Sequence, residues 1–357
     1  MWKYYLFFFF IIFYCFLSIN IKEKRALYNF KTRYVTIVFF LLWLVIGLRD
    51  ISVGADTWSY VESFHKATVL EFDHVKRQLE ALFQVYEYFA RCLTANYHIY
   101  LLMSSFSICW AFYKMFDRYF KEPYEVLAGI CIYVLLGIFA FNEAGIRQTI
   151  AMSLGILAFL AIDKGKIIPC IVLIIMATLF HNTALILLLL IPTHYFDLRK
   201  ISLIGALVIA VIGYFASDSI SLFLKLYFTS EERFSGYSLE DEGQSYTAFF
   251  LQLILVVVAY VGRNNILLPQ KTKNQLFSIA YIGLGIQSAS GVLFEFFRLS
   301  FFFSMFDTIL IPIALASFNG KSARMIRMVF IVGSLTYIFI LSGGTLPRPY
   351  DHPPVNF

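Results

Sequence analysis

Charge is scarce in this chain. Asp, Glu, Lys and Arg make up only 15% of its 357 residues, and 60% are hydrophobic. A soluble domain carries about 25% charged residues. With a mean hydropathy of +0.73, a water-soluble fold is not expected. Nor is there a polar stretch long enough for a separate soluble domain, so residues 1–357 are expected to form a single integral membrane domain. The five cysteines, Cys15, Cys92, Cys109, Cys131 and Cys170, are isolated and show no CxxC or Cys/His metal spacing. They read as small buried residues. HExxH and GxSxG motifs are missing, and Gly320-Lys321-Ser322 lacks the upstream glycine of a phosphate loop, since position 315 is Leu. No fixed-period repeat is visible. The first apolar run has no A-x-A cleavage site and leads into a basic loop, so it reads as a retained span. The net charge of +6 does not point to nucleic acid, because most Lys and Arg lie in short loops between apolar runs.

Those apolar runs are what the sequence does have. They fall at about 3–19, 34–48, 97–116, 125–141, 145–162, 167–181, 183–196, 202–217, 246–262, 275–293, 299–317 and 325–342. The expected fold class is therefore all-α, a polytopic transmembrane helix bundle of about 12 spans. Residues 167–196 form one stretch broken only by His181-Asn182. As one helix it would be about 45 Å long, well beyond a hydrocarbon core of about 30 Å. Two short helices with His181 and Asn182 at their turn are expected instead. Basic clusters occur at Lys22/Lys24/Arg25/Lys31/Arg33, Lys114/Arg118/Lys121, Lys164/Lys166, Arg199/Lys200, Arg263/Lys271/Lys273 and Lys321/Arg324/Arg327. With both termini outside, all six fall on the cytoplasmic side, as the positive-inside rule requires. The long outer loops are then about 49–96 and 218–245. Lys66, Lys76, Arg77 and Arg91 fall in the first of these and run against the rule. Within it, residues 79–95 have apolar positions at helical spacing and are expected as an amphipathic interfacial helix.

Few polar residues near the membrane are left without a role once orientation is set. On the outer face they are Arg49, Asp50, Asp56, Glu143, Arg147, Gln148, His181, Asn182, Glu295, Arg298 and Arg348. Arg147, at the mouth of a long apolar helix, is a cation on the wrong side, and an anionic group such as a lipid-borne phosphate would explain it. Glu143 lies four residues earlier, a spacing that on one helix permits an ion pair. Two readings stand: a structural pair, or Arg147 gripping phosphate with its planar fork while Glu143 orients it. His181 is alone among apolar neighbours. It is either a core residue bonded to a carbonyl or a group that exchanges a proton near neutral pH. In the segment Arg49–Tyr60, Gly54 allows a tight turn, and Thr57, Trp58 and Tyr60 are groups that stack on and hydrogen-bond sugars. Asp56 is a general base, a hydroxyl partner or a helix cap. Glu295 and Arg298 have i,i+3 spacing at another outer junction, and Asp307, deeper in that run, is expected to answer a buried donor.

Three segments resemble the EpsG family of exopolysaccharide biosynthesis proteins, which are similar to Wzy-type O-antigen and capsule polymerases. Arg49 followed by Val53-Gly54-Ala55-Asp56-Thr57 and Tyr60 is like the family's Arg…G-x-D-T…Tyr opening, with Ala55 as a mild departure. Arg147-Gln148-Thr149-Ile150-Ala151 is like its R-Q-x-x-A segment, and Phe180-His181-Asn182-Thr183-Ala184 like its F-H-x-[ST]-A segment. Glu295–Arg298 and Pro347–Tyr350 match more weakly. The resemblance implies a multi-pass protein of the bacterial inner membrane that polymerises polyprenyl-pyrophosphate-linked oligosaccharide repeat units on the outer face. Membrane lipids, a flippase and a chain-length regulator are the partners that this implies.

Two classes of function follow. In a glycosyltransferase-type polymerase, Arg147, His181 and Asp56 would be catalytic. Arg147 would stabilise the departing pyrophosphate, and His181 or Asp56 would take the acceptor proton. Arg49, Thr57, Tyr60, Glu143, Gln148, Asn182, Glu295 and Arg298 would bind substrate. No cofactor or metal is called for by the motifs. The rivals are a transporter or flippase of lipid-linked sugars and a membrane O-acyltransferase. A carrier site should lie near the midplane in repeated halves, whereas these polar groups gather at one face.

Overall fold

The computed structural model describes residues 2–18, 21, 23–69, 80–228, 247–291, 294–319 and 321–341. The acidic cluster Glu231–Glu242, the tail with Arg348, and Lys76 and Arg77 lie outside these. Every regular element among the described residues is helical, and none is a strand. The chain divides into two compact units, one running to Leu188 and resuming at Phe318, the other Leu189–Ser317.

The first unit contains α1 (Trp2–Leu17), α2 (Lys24–Gly47), α3 (Thr57–Lys66), α4 (Ala81–Leu93), α5 (Tyr97–Tyr119), α6 (Pro123–Leu135), α7 (Ile138–Ala144), α8 (Ile146–Asp163) and α9 (Ile167–Phe180). A 3-10 helix, Asn182–Leu189, follows directly. Local chemistry sets several starts. Asn96 caps α5 by accepting from the His98 N–H at 2.9 Å. Pro123 occupies the first helical position of α6, and Glu125 reaches back to the Glu122 N–H at 2.9 Å. Polar side chains then tie the helices together. Buried Lys31 of α2 donates to Asp117 of α5 at 2.9 Å. Tyr34 of α2 donates to the Ile11 carbonyl of α1 at 2.7 Å, and Arg118 pairs with Asp163 across α5 and α8.

An apolar cluster is formed by Tyr60, Val61, Phe64, Phe83, Ala90, Tyr100, Leu101, Ile146 and Ile150. It joins α3, α4, α5 and α8, and Phe64 stacks on Tyr100 with ring centroids 4.4 Å apart. Each large side chain removed from water there contributes about 1.5–3 kcal/mol. That burial holds α3 and α4, which are too short to span, against the longer helices. The expected helix in 79–95 is thus present as α4, and its inner face packs in this cluster.

The second unit contains α10 (Leu190–Tyr195), α11 (Arg199–Phe228), α12 (Thr247–Gly262), α13 (Gln270–Ser288), α14 (Phe294–Ser304) and α15 (Asp307–Ser317). Asp307 accepts from Gln252 Nε2 at 2.9 Å in its interior, the buried donor that its position suggested. His194 Nδ1 lies 3.0 Å from Gln275 Oε1 in the same unit. The chain rejoins the first unit in α16 (Lys321–Thr336).

Five described helices are long and apolar enough to cross a membrane: Arg25–Gly47, Tyr97–Tyr119, Ile146–Asp163, Thr247–Asn265 and Ser322–Ile340. Two pairs bent at a short break, α6 with α7 by 62° and α14 with α15 by 50°, raise the number to seven. That is fewer than the twelve apolar runs, and for three of the other five the reason is length; the remaining two, 202–217 and 275–293, lie in α11 and α13, which have 30 and 19 residues. Lys3–Leu17, Ile167–Phe180 and Asn182–Tyr195 fall short of the roughly 20 residues that cross a bilayer. The break expected at His181-Asn182 is present, with His181 as the cap of α9. Phe9, Phe13 and Phe16 on α1 and Ile168, Val172 and Ile175 on α9 are exposed, an apolar surface that suits lipid better than water. Of the cysteines, Cys109, Cys131 and Cys170 are buried, but Cys15 is only half-buried and Cys92 is exposed. Cys92 sits near the end of α4, away from that helix's inner face.

Candidate functional site

The site is assembled in the first unit from four turns of chain. The first follows α2. Arg49 is entirely buried; its Nη1 donates to the Ile46 carbonyl at 2.7 Å and its Nε to Thr57 Oγ1 at 3.4 Å, while Nη2 has no partner. Asp50 then closes a turn by accepting from the Ser52 N–H at 2.9 Å and hydroxyl at 2.8 Å. Gly54 follows at φ +91°, a conformation open to glycine. The Thr57 hydroxyl, at the start of α3, lies 2.7 Å from the Val53 carbonyl and 2.9 Å from the Glu143 carbonyl, either of which can take its hydrogen. Thr57 is therefore buried and pins the loop to α7. Asp56 holds the cap position of α3 without making a capping hydrogen bond and is half-buried.

The second turn is the break between α7 and α8. Gly145 ends one helix by donating to the Phe141 carbonyl at 2.8 Å and starts the next by accepting from the Thr149 N–H at 2.9 Å. Glu143 and Arg147 therefore lie on different helices, and the expected i,i+4 pair does not form. Glu143 is buried and accepts from the Tyr4 hydroxyl at 3.0 Å. Asn142, beside it, donates to the Tyr133 hydroxyl at 2.6 Å and accepts from Thr149 Oγ1 at 3.1 Å, which locks α7 to α8. Gln148 is buried as well.

Arg147 finds its carboxylate elsewhere, on Glu80, the residue just before α4. Nη1 donates to Glu80 Oε2 at 2.7 Å and Nε to the Tyr60 hydroxyl at 3.3 Å, with the guanidinium 5.9 Å from the Tyr60 ring centre. The other Glu80 oxygen, Oε1, lies 3.2 Å from His181 Nδ1 and accepts from the Asn182 backbone N–H at 3.3 Å. Three of the residues singled out in sequence, Arg147, His181 and Asn182, thus meet at one carboxylate, with Tyr60 alongside. Asn182 contributes through its backbone; its side chain is exposed. Burial works against ionisation of Glu80. The His181 hydrogen bond, the Arg147 charge and the backbone N–H of Glu80 itself outweigh it and hold the carboxyl down to about 2. Burial also pushes the Tyr60 hydroxyl up, with the Arg147 charge opposing it.

Sequence reasoning missed Glu80. The signal was a face: Phe83, Gln84, Glu87 and Ala90 are the buried residues of α4, and Glu80 lies about one to three turns before them on the same stripe. Glu87 is also bonded internally, to Ser63 at 2.8 Å and Tyr100 at 3.2 Å. Carboxylates on the apolar stripe of an amphipathic helix argue against a helix lying on lipid and for one packed on polar partners. Glu295 and Arg298 are in the first turns of α14, in the second unit.

Chemically, the cluster offers a fork-shaped cation, a histidine, a backbone donor and a phenol. The side chains of Arg147 and His181 remain 25% and 22% exposed, so the cluster is open to a ligand. Against known proteins, the family model described as EpsG family matches residues 32–346, a range that takes in the Arg49–Tyr60, Arg147–Ala151 and Phe180–Ala184 segments. No curated protein and no solved structure matches the chain.

Proposed function

The chain belongs to the EpsG family, membrane proteins of exopolysaccharide biosynthesis, and from that premise we propose that it is the polymerase. It joins polyprenyl-pyrophosphate-linked oligosaccharide repeat units on the outer face of the bacterial inner membrane. The observation that carries this reading is the convergence of three family segments on one place: Tyr60 from the first, Arg147 from the second and His181 from the third, all within hydrogen-bonding reach of Glu80 or of one another.

In this reaction the acceptor hydroxyl oxygen attacks the anomeric carbon of the donor glycan, and the bond from that carbon to the pyrophosphate oxygen breaks. The electron pair leaves with the pyrophosphate, whose growing charge Arg147 stabilises. His181 or Asp56 takes the acceptor proton. Arg49, whose side chain is wholly buried, supports the loop that carries Asp56 and does not face the substrate. An orientation with both termini outside goes with this reading, since it puts the six basic clusters inside and the motif turns outside.

The bent helix pairs favour a second reading, a carrier of lipid-linked sugars, because broken helices are where carriers bind. Against it, the cluster is built at helix ends: Arg147 in the first turn of α8, His181 at the end of α9, Glu80 before α4. The test is polymerisation of a lipid-linked repeat by purified Arg147→Lys. Lysine keeps the charge and loses the fork that serves Glu80 and Tyr60 from two nitrogens. Turnover should fall by about 10²–10³ while the protein still accumulates in the membrane; normal turnover would remove Arg147 from the chemistry. In cells lacking the protein, single repeats should collect outside, whereas collection inside would favour the carrier.

A further inference from the structure

The position of Glu80 raises a question that the polymerase reading leaves open. An arginine set to receive a phosphate should not already be satisfied, yet Arg147 is. We propose that the Glu80 carboxylate is an internal stand-in for a phosphoryl group: it fills the anion seat in the empty enzyme and is displaced when a diphosphate arrives. This rests on the reading that Arg147 faces the diphosphate of the lipid-linked substrate.

The geometry of the seat supports it. Three groups that present N–H bonds to an anion close on the two Glu80 oxygens: Arg147 Nη1 at 2.7 Å, His181 Nδ1 at 3.2 Å and the Asn182 backbone N–H at 3.3 Å. They come from two places in the chain: Arg147 at the start of α8, and the adjacent His181 and Asn182, where α9 gives way to the 3-10 helix. That is a set suited to the oxygens of a phosphoryl group, which accepts several hydrogen bonds at once. Two of the three contacts are long for charge-assisted bonds, so the carboxylate does not fill the seat as closely as a phosphoryl group would. The seat is open from outside, because Arg147 and His181 both keep about a quarter of their side-chain surface exposed. Glu80 itself is attached at the seat's edge, one residue ahead of α4 and in an extended conformation. Its long side chain can swing away without unwinding that helix. A resident carboxylate keeps Arg147 from trapping free inorganic anions, and only a ligand with more negative charge, or with added contacts from its lipid, replaces it. His181 then takes part in anion binding through Nδ1, while Nε2 stays available for the proton.

The experiment is equilibrium binding of inorganic pyrophosphate, and separately of farnesyl diphosphate, to the purified full-length protein in detergent. Glu80→Gln keeps the shape and removes the charge that competes for the seat. It should bind pyrophosphate at least tenfold more tightly than the wild type, and pyrophosphate should raise its thermal unfolding temperature more than that of the wild type. Should Glu80→Gln not accumulate, Glu80→Asp draws the carboxylate back by about 1.5 Å and should show a smaller gain of the same sign. Equal or weaker binding by these variants, with pyrophosphate still binding the wild type and lost in Arg147→Lys, overturns the stand-in role and leaves Arg147 as an anion site. No pyrophosphate binding by any variant, or binding indifferent to Arg147→Lys, overturns both this inference and the diphosphate reading of Arg147. Farnesyl diphosphate should bind Glu80→Gln more tightly than pyrophosphate does; equal affinities would overturn the lipid-borne source of the anion.

Discussion

Gly54→Ala should be the most damaging single-methyl substitution in the loop that carries Asp56, and the structure gives the reason in parts. The residue sits at φ +91°, where an alanine costs about 1 kcal/mol relative to glycine. Its Cβ would also press into the Glu143 carbonyl, 2.8 Å from the carbonyl carbon and 2.7 Å from Thr57 Oγ1. Backbone on one side and a pinned hydroxyl on the other cannot move cheaply, and overpacking of this kind costs about 1–3 kcal/mol. The shift would break the bond from Thr57 to the Glu143 carbonyl, a further 0.5–1.5 kcal/mol or so. The total is about 3–5 kcal/mol, on the order of 10 °C in melting temperature for a unit of this size. Gly165→Ala is the control: Gly165 has φ +74° but a Cβ there meets nothing within 4 Å, so its cost should stay near 1 kcal/mol or below. Unfolding in detergent can be followed with a thiol-reactive fluorophore, because Cys109, Cys131 and Cys170 are buried and Cys92 gives the exposed baseline. Gly54→Ala should also cut polymer output, since Tyr60, one turn along α3, is the partner of Arg147. Loss of stability by Gly54→Ala no greater than by Gly165→Ala would refute the argument that the loop is held against α7 by contact.

Acid should loosen the attachment of α4. The Glu80 carboxyl lies at about 2 in the folded protein against an ordinary 4.5, so its contribution to stability, about 3 kcal/mol, is present above pH 4.5 and is lost as pH falls from 4.5 toward 2. Unfolding of the wild type should therefore steepen across that window and that of Glu80→Gln should not; parallel acid profiles for the two proteins would contradict the ion pair. In the second unit, Asp307→Ala strands the Gln252 amide and should cost about 1–3 kcal/mol, while Asp307→Asn, which can still pair with that amide, should cost less. Equal destabilisation by the two in thermal unfolding would mean that the Asp307–Gln252 bond does not hold the unit.

Helices were legible in the sequence because apolar runs of this length have no other stable form in a membrane, and the break at His181-Asn182 was legible because one helix through it would be too long. How many runs cross was not. Hydropathy measures composition, whereas crossing depends on where a helix ends, and several helices end early through features a run conceals. Inside the run 125–141, Gly137 at φ +75° separates α6 from α7, which sets off at 62° to it. The run boundary at 142–144 already separated Glu143 from Arg147, and the i,i+4 pair failed because it assumed one helix across that boundary.

The site was half legible for a related reason. Arg147 and His181 stood out as isolated polar residues against apolar helices, where a charge or an imidazole is conspicuous. Their shared partner did not, because an acid in a polar loop is ordinary until its neighbours are placed. Glu80 becomes conspicuous only on a helical wheel, where it heads the stripe of Phe83, Gln84, Glu87 and Ala90 that α4 buries. On a helix floating in the interface, an acid on that stripe would face lipid, and a carboxylate there is costly. Two of them, Glu80 and Glu87, make the interfacial placement of α4 inconsistent with its own sequence unless the stripe meets donors. The structure supplies them: Arg147, His181 and the Asn182 N–H for Glu80, Ser63 and Tyr100 for Glu87. The fold thus uses α4 as a part of the site's wall. The carboxylate in that wall that touches both Arg147 and His181 is also the group whose removal separates the two roles available to it, structural counter-ion or occupant of the substrate's seat.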